Sequence, residues 1–294
     1  MPKTARTKLT EAQKRYREIL QSRPAIVWKN FSDGHNLKLH LFFPHGHHEA
    51  QDIPCVVFFH GGMWMTDNII DLIAWALQLN SIGVACLIPE YRTREKYEVH
   101  AQDMLQDAQD MWQWISRNAS VLGIDPTNIT LAGADVGALM ALHAGMPMKP
   151  KKRWWRPFHQ DYFQPNVPAA LAIFRAVIDV STPESQVLNI LEEMRDYESI
   201  NPINRLSDKL PPIFIAHGAQ DLLQDVETSD WFCHEWKHAG NKADLFVHPT
   251  IDHTLMNFHV NPTAFEQMQI SWQHFMTELG LWAESDTAGQ ALMS

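Results

Sequence analysis

The chain is poor in the residues that would place it outside the cell or in a membrane. Three cysteines in 294 residues, Cys55, Cys86 and Cys233, are too few for a disulfide framework. Cys55 and Cys86 fall inside apolar runs, where a thiol behaves as a small hydrophobe. No apolar stretch approaches the roughly 20 residues that span a bilayer, and Met1-Pro2-Lys3-Thr4-Ala5-Arg6-Thr7 leads into a charged amphipathic segment without the apolar core of a signal peptide. Positive charge is short as well. Lys and Arg number 24 against 34 Asp and Glu, a formal net charge of −10 that argues against nucleic acid as a partner. These absences predict a cytoplasmic protein in a reducing compartment, with no integral membrane segment. They leave its oligomeric state open.

What is present suits one folded unit over residues 1–294. Hydrophobic residues make up 45% of the chain and charged ones 20%, enough for one α/β domain with a sheet buried on both faces. Residues 8–22 predict a helix ahead of the domain. Ala25 to Trp28 and Leu37 to Phe43 predict a leading hairpin, with His45-Gly46-His47-His48 as its loop. That histidine spacing fits no ligand pair on a helix or strand, so no metal is expected there. The segment 146–168 is the least regular, with Lys149, Lys151, Lys152, Arg153, Trp154, Trp155 and Arg156 among several prolines, and it reads as a lid or a surface excursion.

The chemistry-bearing pattern lies between these parts. Asn128-Ile129-Thr130-Leu131-Ala132 is a short apolar run fit for a buried strand, and Ala138-Leu139-Met140-Ala141-Leu142 begins a helix. Between them stands Gly133-Ala134-Asp135-Val136-Gly137, a sharp turn whose glycines belong where strand and helix nearly touch. Upstream, the strand Ile53 to Phe59 runs into His60-Gly61-Gly62-Met63-Trp64, a turn rich in unpaired backbone amides. Another strand, Gly83 to Arg92, precedes a helical run from about His100 to Asn118. Downstream, Pro211-Pro212-Ile213-Phe214-Ile215-Ala216-His217-Gly218 leads to Asp221, and the strand-like Asp244 to Val247 leads to His248-Pro249-Thr250-Ile251-Asp252-His253.

In this order the segments resemble the esterase/lipase branch of the α/β-hydrolase superfamily, the hormone-sensitive-lipase-like and kynurenine-formamidase-like esterases, over about residues 50 to 280. The turn His60 to Trp64 matches the His-Gly-Gly-x-Trp signature of the latter. Residues 133 to 137 match the Gly-x-Ser-x-Gly nucleophile elbow with Asp135 in the serine's place. The resemblance implies a mostly parallel central sheet with helices on both faces. It also implies a site in which Asp135, His253 and Asp221 occupy the positions of nucleophile, base and acid, and in which Gly61, Gly62 and Val136 supply an oxyanion hole. His253 would then lie between two carboxylates, which raise its pKa unless burial outweighs them. Departures cluster in the site: the serine is Asp135, the next residue is Val136, and the histidine is flanked by Asp252 and Thr254. Trp64 and Tyr91 are candidates for the substrate pocket wall.

An aspartate at the elbow changes the chemistry. A carboxylate attacking an ester carbonyl gives a mixed anhydride, with a good leaving group on both sides. One displacing a group from an sp3 carbon gives a stable alkyl ester, which water activated by His253 then cleaves. Haloalkane dehalogenases and epoxide hydrolases use an elbow aspartate in this second way. The leading expectation is therefore an atypical Asp-His-Asp hydrolase resembling a carboxylesterase, acting without a cofactor on a small ester, amide or sp3 electrophile. Two alternatives remain open: a catalytically silent esterase-like protein that binds a small ligand, and a serine esterase whose nucleophile has been replaced by Asp.

Overall fold

In the computed structural model the described residues are 10–47, 51–146, 167–180 and 200–284. Strands β1 (Ala25–Asn30), β2 (Asn36–Phe42), β3 (Ile53–Phe59), β4 (Ala85–Pro89), β5 (Ile124–Ala134), β6 (Ala170–Phe174), β7 (Ile213–Gly218) and β8 (Ala243–His248) form one sheet. Their spatial order is β1-β2-β4-β3-β5-β6-β7-β8. The first two strands join antiparallel to each other and to β4. Every pairing from β4 to β8 is parallel.

Parallel strands need crossover helices, and these cover both faces. Helices α3 (Ala101–Asn118), α4 (Val136–Gly145) and α5 (Val226–His238) pack on one face, while α2 (Ile73–Ser81) and α6 (Pro262–Glu278) pack on the other. The alternation of β3 divides the core: Cys55, Val57 and Phe59 point to the first face, Val56 and Phe58 to the second. An aromatic cluster of Phe58, Trp75, Phe174, Phe214, Phe265 and Trp272 fills that second face. The leading helix, α1 (Glu11–Ser22), starts with a reciprocal cap between Thr10 and Gln13 and lays Tyr16, Ile19 and Leu20 on the same core. Among the described residues no helix is long and apolar enough to cross a membrane, and all three cysteines are buried and free.

Two sequence readings need adjustment. The hairpin forms, but its turn is residues 31–35, with Gly34 at φ +89°, and not the histidine loop. His45-Gly46-His47 follows β2 on the way to β3, where His47 stacks on Phe43. Reading apolar strands without their register displaced the turn by one connection. His48 lies outside the described residues, as do 147–166 of the segment read as a lid or excursion.

The sheet changes direction of winding at β3, which is followed in sequence by β4 on one side and β5 on the other. Loops leaving β3 and β5 at their carboxyl ends therefore diverge and open a crevice, where open α/β sheets place their sites. Gly137 brings α4 against β3 there: a Cβ on it would stand 2.3 Å from the Phe59 carbonyl oxygen and 2.5 Å from that of His60. Gly137→Ala must push α4 off the sheet. The expected cost is at least about 2 kcal/mol, seen in a thermal melt as a Tm lowered by about 3 °C or more.

Candidate active site

Strand register builds the site. In the β3–β5 ladder Phe59 pairs with Gly133, so the residues two further on, Gly61 and Asp135, stand abreast. Ala134 pairs with Phe174 in the β5–β6 ladder, which sets Arg175 beside Asp135. Asp221 follows β7 by three residues and His253 follows β8 by five, at the same edge.

Asp135 holds the elbow conformation, with φ 53° and ψ −120°, a strained region for a residue with a side chain. Flanking glycines make it attainable, since a Cβ on Gly133 would stand 2.0 Å from the Gly137 carbonyl oxygen. The turn after β3 is equally tight: Gly62, Met63 and Trp64 all have positive φ, and the amides of Met65 and Thr66 both donate to the Gly62 carbonyl. Behind it the Tyr91 hydroxyl donates to the His60 carbonyl at 2.9 Å, and the two rings stack with centroids 4.2 Å apart. Trp64 is fully buried and Tyr91 nearly so, both within the core. Neither offers surface to a ligand, which corrects their reading as pocket wall; Tyr91 braces the turn instead. Gly61 faces Asp135 so closely that a Cβ on it would lie 2.3 Å from Asp135 Oδ2. Val136 opens α4, and its amide belongs to the first turn, where N–H groups have no partner within the helix.

Asp135, His253 and Asp221 come together. His253 Nδ1 lies 2.7 Å from Asp221 Oδ2, and His253 Nε2 lies 3.1 Å from Asp135 Oδ1. Asp221 Oδ1 accepts from the amides of Leu223 and Gln224 at 2.8 and 3.1 Å, while Oδ2 also faces the buried His217 at 3.3 Å. Asp221 does not cap α5, because Asp225 does so through the Glu227 amide. Burial opposes ionisation of Asp221, but the contacts to His217 and His253 and the Leu223 amide hold its pKa far below the ordinary carboxylate value. For His253 burial also disfavours charge, yet contacts to Asp135 and Asp221 outweigh it and raise the pKa to about 8.

Sequence reasoning missed Arg175. Its Nε lies 3.0 Å from Asp135 Oδ1 and its Nη2 3.4 Å from Oδ2, and Nη1 donates to the His253 carbonyl oxygen. The contacts of Arg175 Nε and His253 Nε2 to Oδ1 are close ion-pair contacts rather than well-aligned hydrogen bonds. Arg175 itself has φ 41°, a left-handed conformation that glycine would take without strain. Asp71, on the short turn before α2, is electrostatically coupled to both Arg175 and Asp135, and burial raises its pKa. The one signal in the sequence was an arginine directly after the apolar run 170–174, which has no meaning until β6 is paired with β5.

A parallel sheet with a strained elbow, a glycine turn beside it and an acid–histidine pair after the last two strands defines an α/β-hydrolase of the esterase branch. The model of the BD-FAE family matches residues 39–235, and the chain belongs to that family. It is 28% identical over 257 residues to isoprenylcysteine alpha-carbonyl methylesterase ICME of Arabidopsis thaliana, covering 80% of this chain and 57% of the plant protein. It is 28% identical to carboxylesterase NlhH of Mycobacterium tuberculosis, over 73% of this chain and 70% of that one. Esterase 2 of Thermogutta terrifontis, in a structure phosphonylated by sarin, superposes with a TM-score of 0.82 at 23% identity, over 90% of this chain and 98% of that one.

Protonation of His253 links the site to stability. Its folded pKa exceeds the unfolded value of about 6.5, so its stabilising contribution is complete below pH 6.5 and disappears as pH rises through about 8. The fall amounts to roughly 2 kcal/mol at most. Thermal melts between pH 6 and 9 should show it. Asp135→Asn should flatten it, because one of the two carboxylates is gone.

Proposed function

We propose that this chain is an esterase-fold protein whose centre binds a small ligand without transferring an acyl group. The observation that carries this reading is the Arg175 guanidinium seated against Asp135. Serine-type acyl transfer needs a hydroxyl and a neutral imidazole to take its proton. Position 135 has no hydroxyl, and His253 with a pKa of about 8 is mostly imidazolium at neutral pH.

Displacement at an sp3 carbon fares little better. Asp135 Oδ1, the oxygen toward His253, already lies between two cations, and Oδ2 lies against the Gly61 turn. Turning the carboxylate into an alkyl ester would strip Arg175 of its counter-charge in a largely buried place. Breaking such a pair costs about 3–5 kcal/mol, which as a barrier is a slowing of roughly 10²- to 10³-fold or more. The resting arrangement is a closed set of charges with no free nucleophile. Names of relatives, carboxylesterase and ethyl acetate hydrolase among them, favour an ester-bearing ligand.

A second reading keeps Asp135 as nucleophile of a hydrolase. It is favoured by the 2.7 Å contact between His253 and Asp221, a pairing that ligand binding alone does not require.

One set of measurements separates the two. The protein is mixed with short p-nitrophenyl esters, epoxides and haloalkanes, and product and intact mass are followed. The binding reading expects no turnover above buffer and no adduct, with a raised Tm for the molecule that binds. Paraoxon, which phosphorylates the Thermogutta esterase, should leave the mass unchanged. A stable alkyl adduct on Asp135 when His253 is substituted would establish the hydrolase instead.

A further inference from the structure

We propose that Asp135 and Arg175 are a single lock laid over an otherwise complete acyl-transfer centre, so that removing both restores serine-esterase activity where replacing the aspartate alone does not. This rests on the silent reading above and deepens it.

Three observations support the lock. First, the two residues are neighbours through strand register, in contact through both carboxylate oxygens. Second, Arg175 is kept in a left-handed backbone conformation, φ 41°, that strains a residue with a side chain. Third, that guanidinium also donates to the His253 carbonyl, which sets its charge beside the imidazole. Arg175 is a positioning residue: it holds the Asp135 carboxylate, while the His253 ring is oriented by Asp221.

Beneath the lock the other parts are in order. An oxygen of residue 135 already lies 3.1 Å from His253 Nε2, and His253 is already oriented by Asp221. A serine on the same strained turn would point its Oγ into this space, beside the Gly61–Gly62 turn and the Val136 amide. With Asp135→Ser alone, Arg175 loses its nearest counter-ion, keeping only the more distant Asp71, and remains as a cation beside the imidazole. With Arg175→Gly as well, the cation and its backbone strain both disappear.

The restored reaction is ordinary ester hydrolysis. The Oγ–H proton passes to His253 Nε2 as the Oγ–carbonyl bond forms. The bond to the leaving alcohol breaks, and that oxygen takes the proton from His253. Water, deprotonated by His253, then attacks the acyl-serine, releasing the carboxylic acid and restoring the hydroxyl.

The charged groups facing His253 are Asp135, Asp221 and Arg175, with His217 behind Asp221 and Asp71 beside Arg175. They give a readout independent of turnover. Arg175→Gly leaves the imidazole with both carboxylates and no cation, so the ring should titrate above the native value of about 8. Asp135→Ser should titrate below it.

The test uses the full chain and four forms: native, Asp135→Ser, Arg175→Gly and Asp135→Ser/Arg175→Gly. Each is checked by thermal melt, assayed with p-nitrophenyl acetate, and titrated at His253 by NMR. The double variant should exceed Asp135→Ser by about a hundredfold, the size of one electrostatic contact at such a centre, and should be labelled by paraoxon. Equal activity of the two serine forms, or a folded double variant that stays inactive, overturns the proposal. So does an Arg175→Gly form whose His253 titrates as in the native chain. Failure of the silent reading is seen separately, as turnover or an adduct in the native protein.

Discussion

Everything at this site depends on how closely β3, β5 and β6 lie in parallel register at the point where the sheet reverses its winding. Gly137 touching the Phe59 and His60 carbonyls, and Gly133 touching Gly137, fix the elbow's height above the sheet. Once that height is set, Gly61, Asp135 and Arg175 stand in one row, because Phe59 pairs with Gly133 and Ala134 with Phe174. The strain of Asp135 and Arg175, both at positive φ, is carried by a core in which Phe58, Trp75, Phe174 and Trp272 leave those strands no freedom to relax.

The electrostatics follow from this row. In a serine centre the nucleophile is neutral and the histidine has one carboxylate neighbour. Here a second carboxylate stands on the other side of His253, and the arginine beside it balances the added charge. An unpaired carboxylate in that largely buried position would be costly, so the aspartate and the arginine stabilise one another. That mutual dependence is the ground on which the proposed binding role rests. An interaction strong enough to hold the resting state in place is one that any covalent step at Asp135 would first have to break.

The turn after β3 illustrates a different division of labour. Met63 and Trp64 follow Gly62 in the left-handed region. Trp64 goes into the core, and Tyr91 ties the His60 carbonyl from behind. The conspicuous aromatics of the His-Gly-Gly-Met-Trp segment thus serve the shape of the turn, leaving the amides and glycine surfaces at its tip to face Asp135.

Much of this was legible in the sequence. Continuous apolar runs marked β3, β5 and β7, because buried strands must be apolar on both faces, and the short run Leu245 to Val247 marked the half-exposed edge strand β8. The glycines at 61, 62, 133 and 137 marked turns that only close backbone approach requires, and the resemblance to the esterase branch, read in chain order, pointed to Asp135, Asp221 and His253. What the sequence could not supply was lateral adjacency. Arg175 lies 40 residues from Asp135 along the chain, and nothing in local periodicity says that β6 pairs with β5 rather than with another strand. The same gap moved the hairpin turn from residues 31–35 to the histidine loop and put Trp64 and Tyr91 on a pocket wall. Local residue pattern determined which segments are strands, helices and turns, since those follow from backbone sterics and burial within a few residues. Only the folded sheet decided which charges meet, because an ion pair is set by distances of about 3 Å between groups that the chain itself keeps far apart.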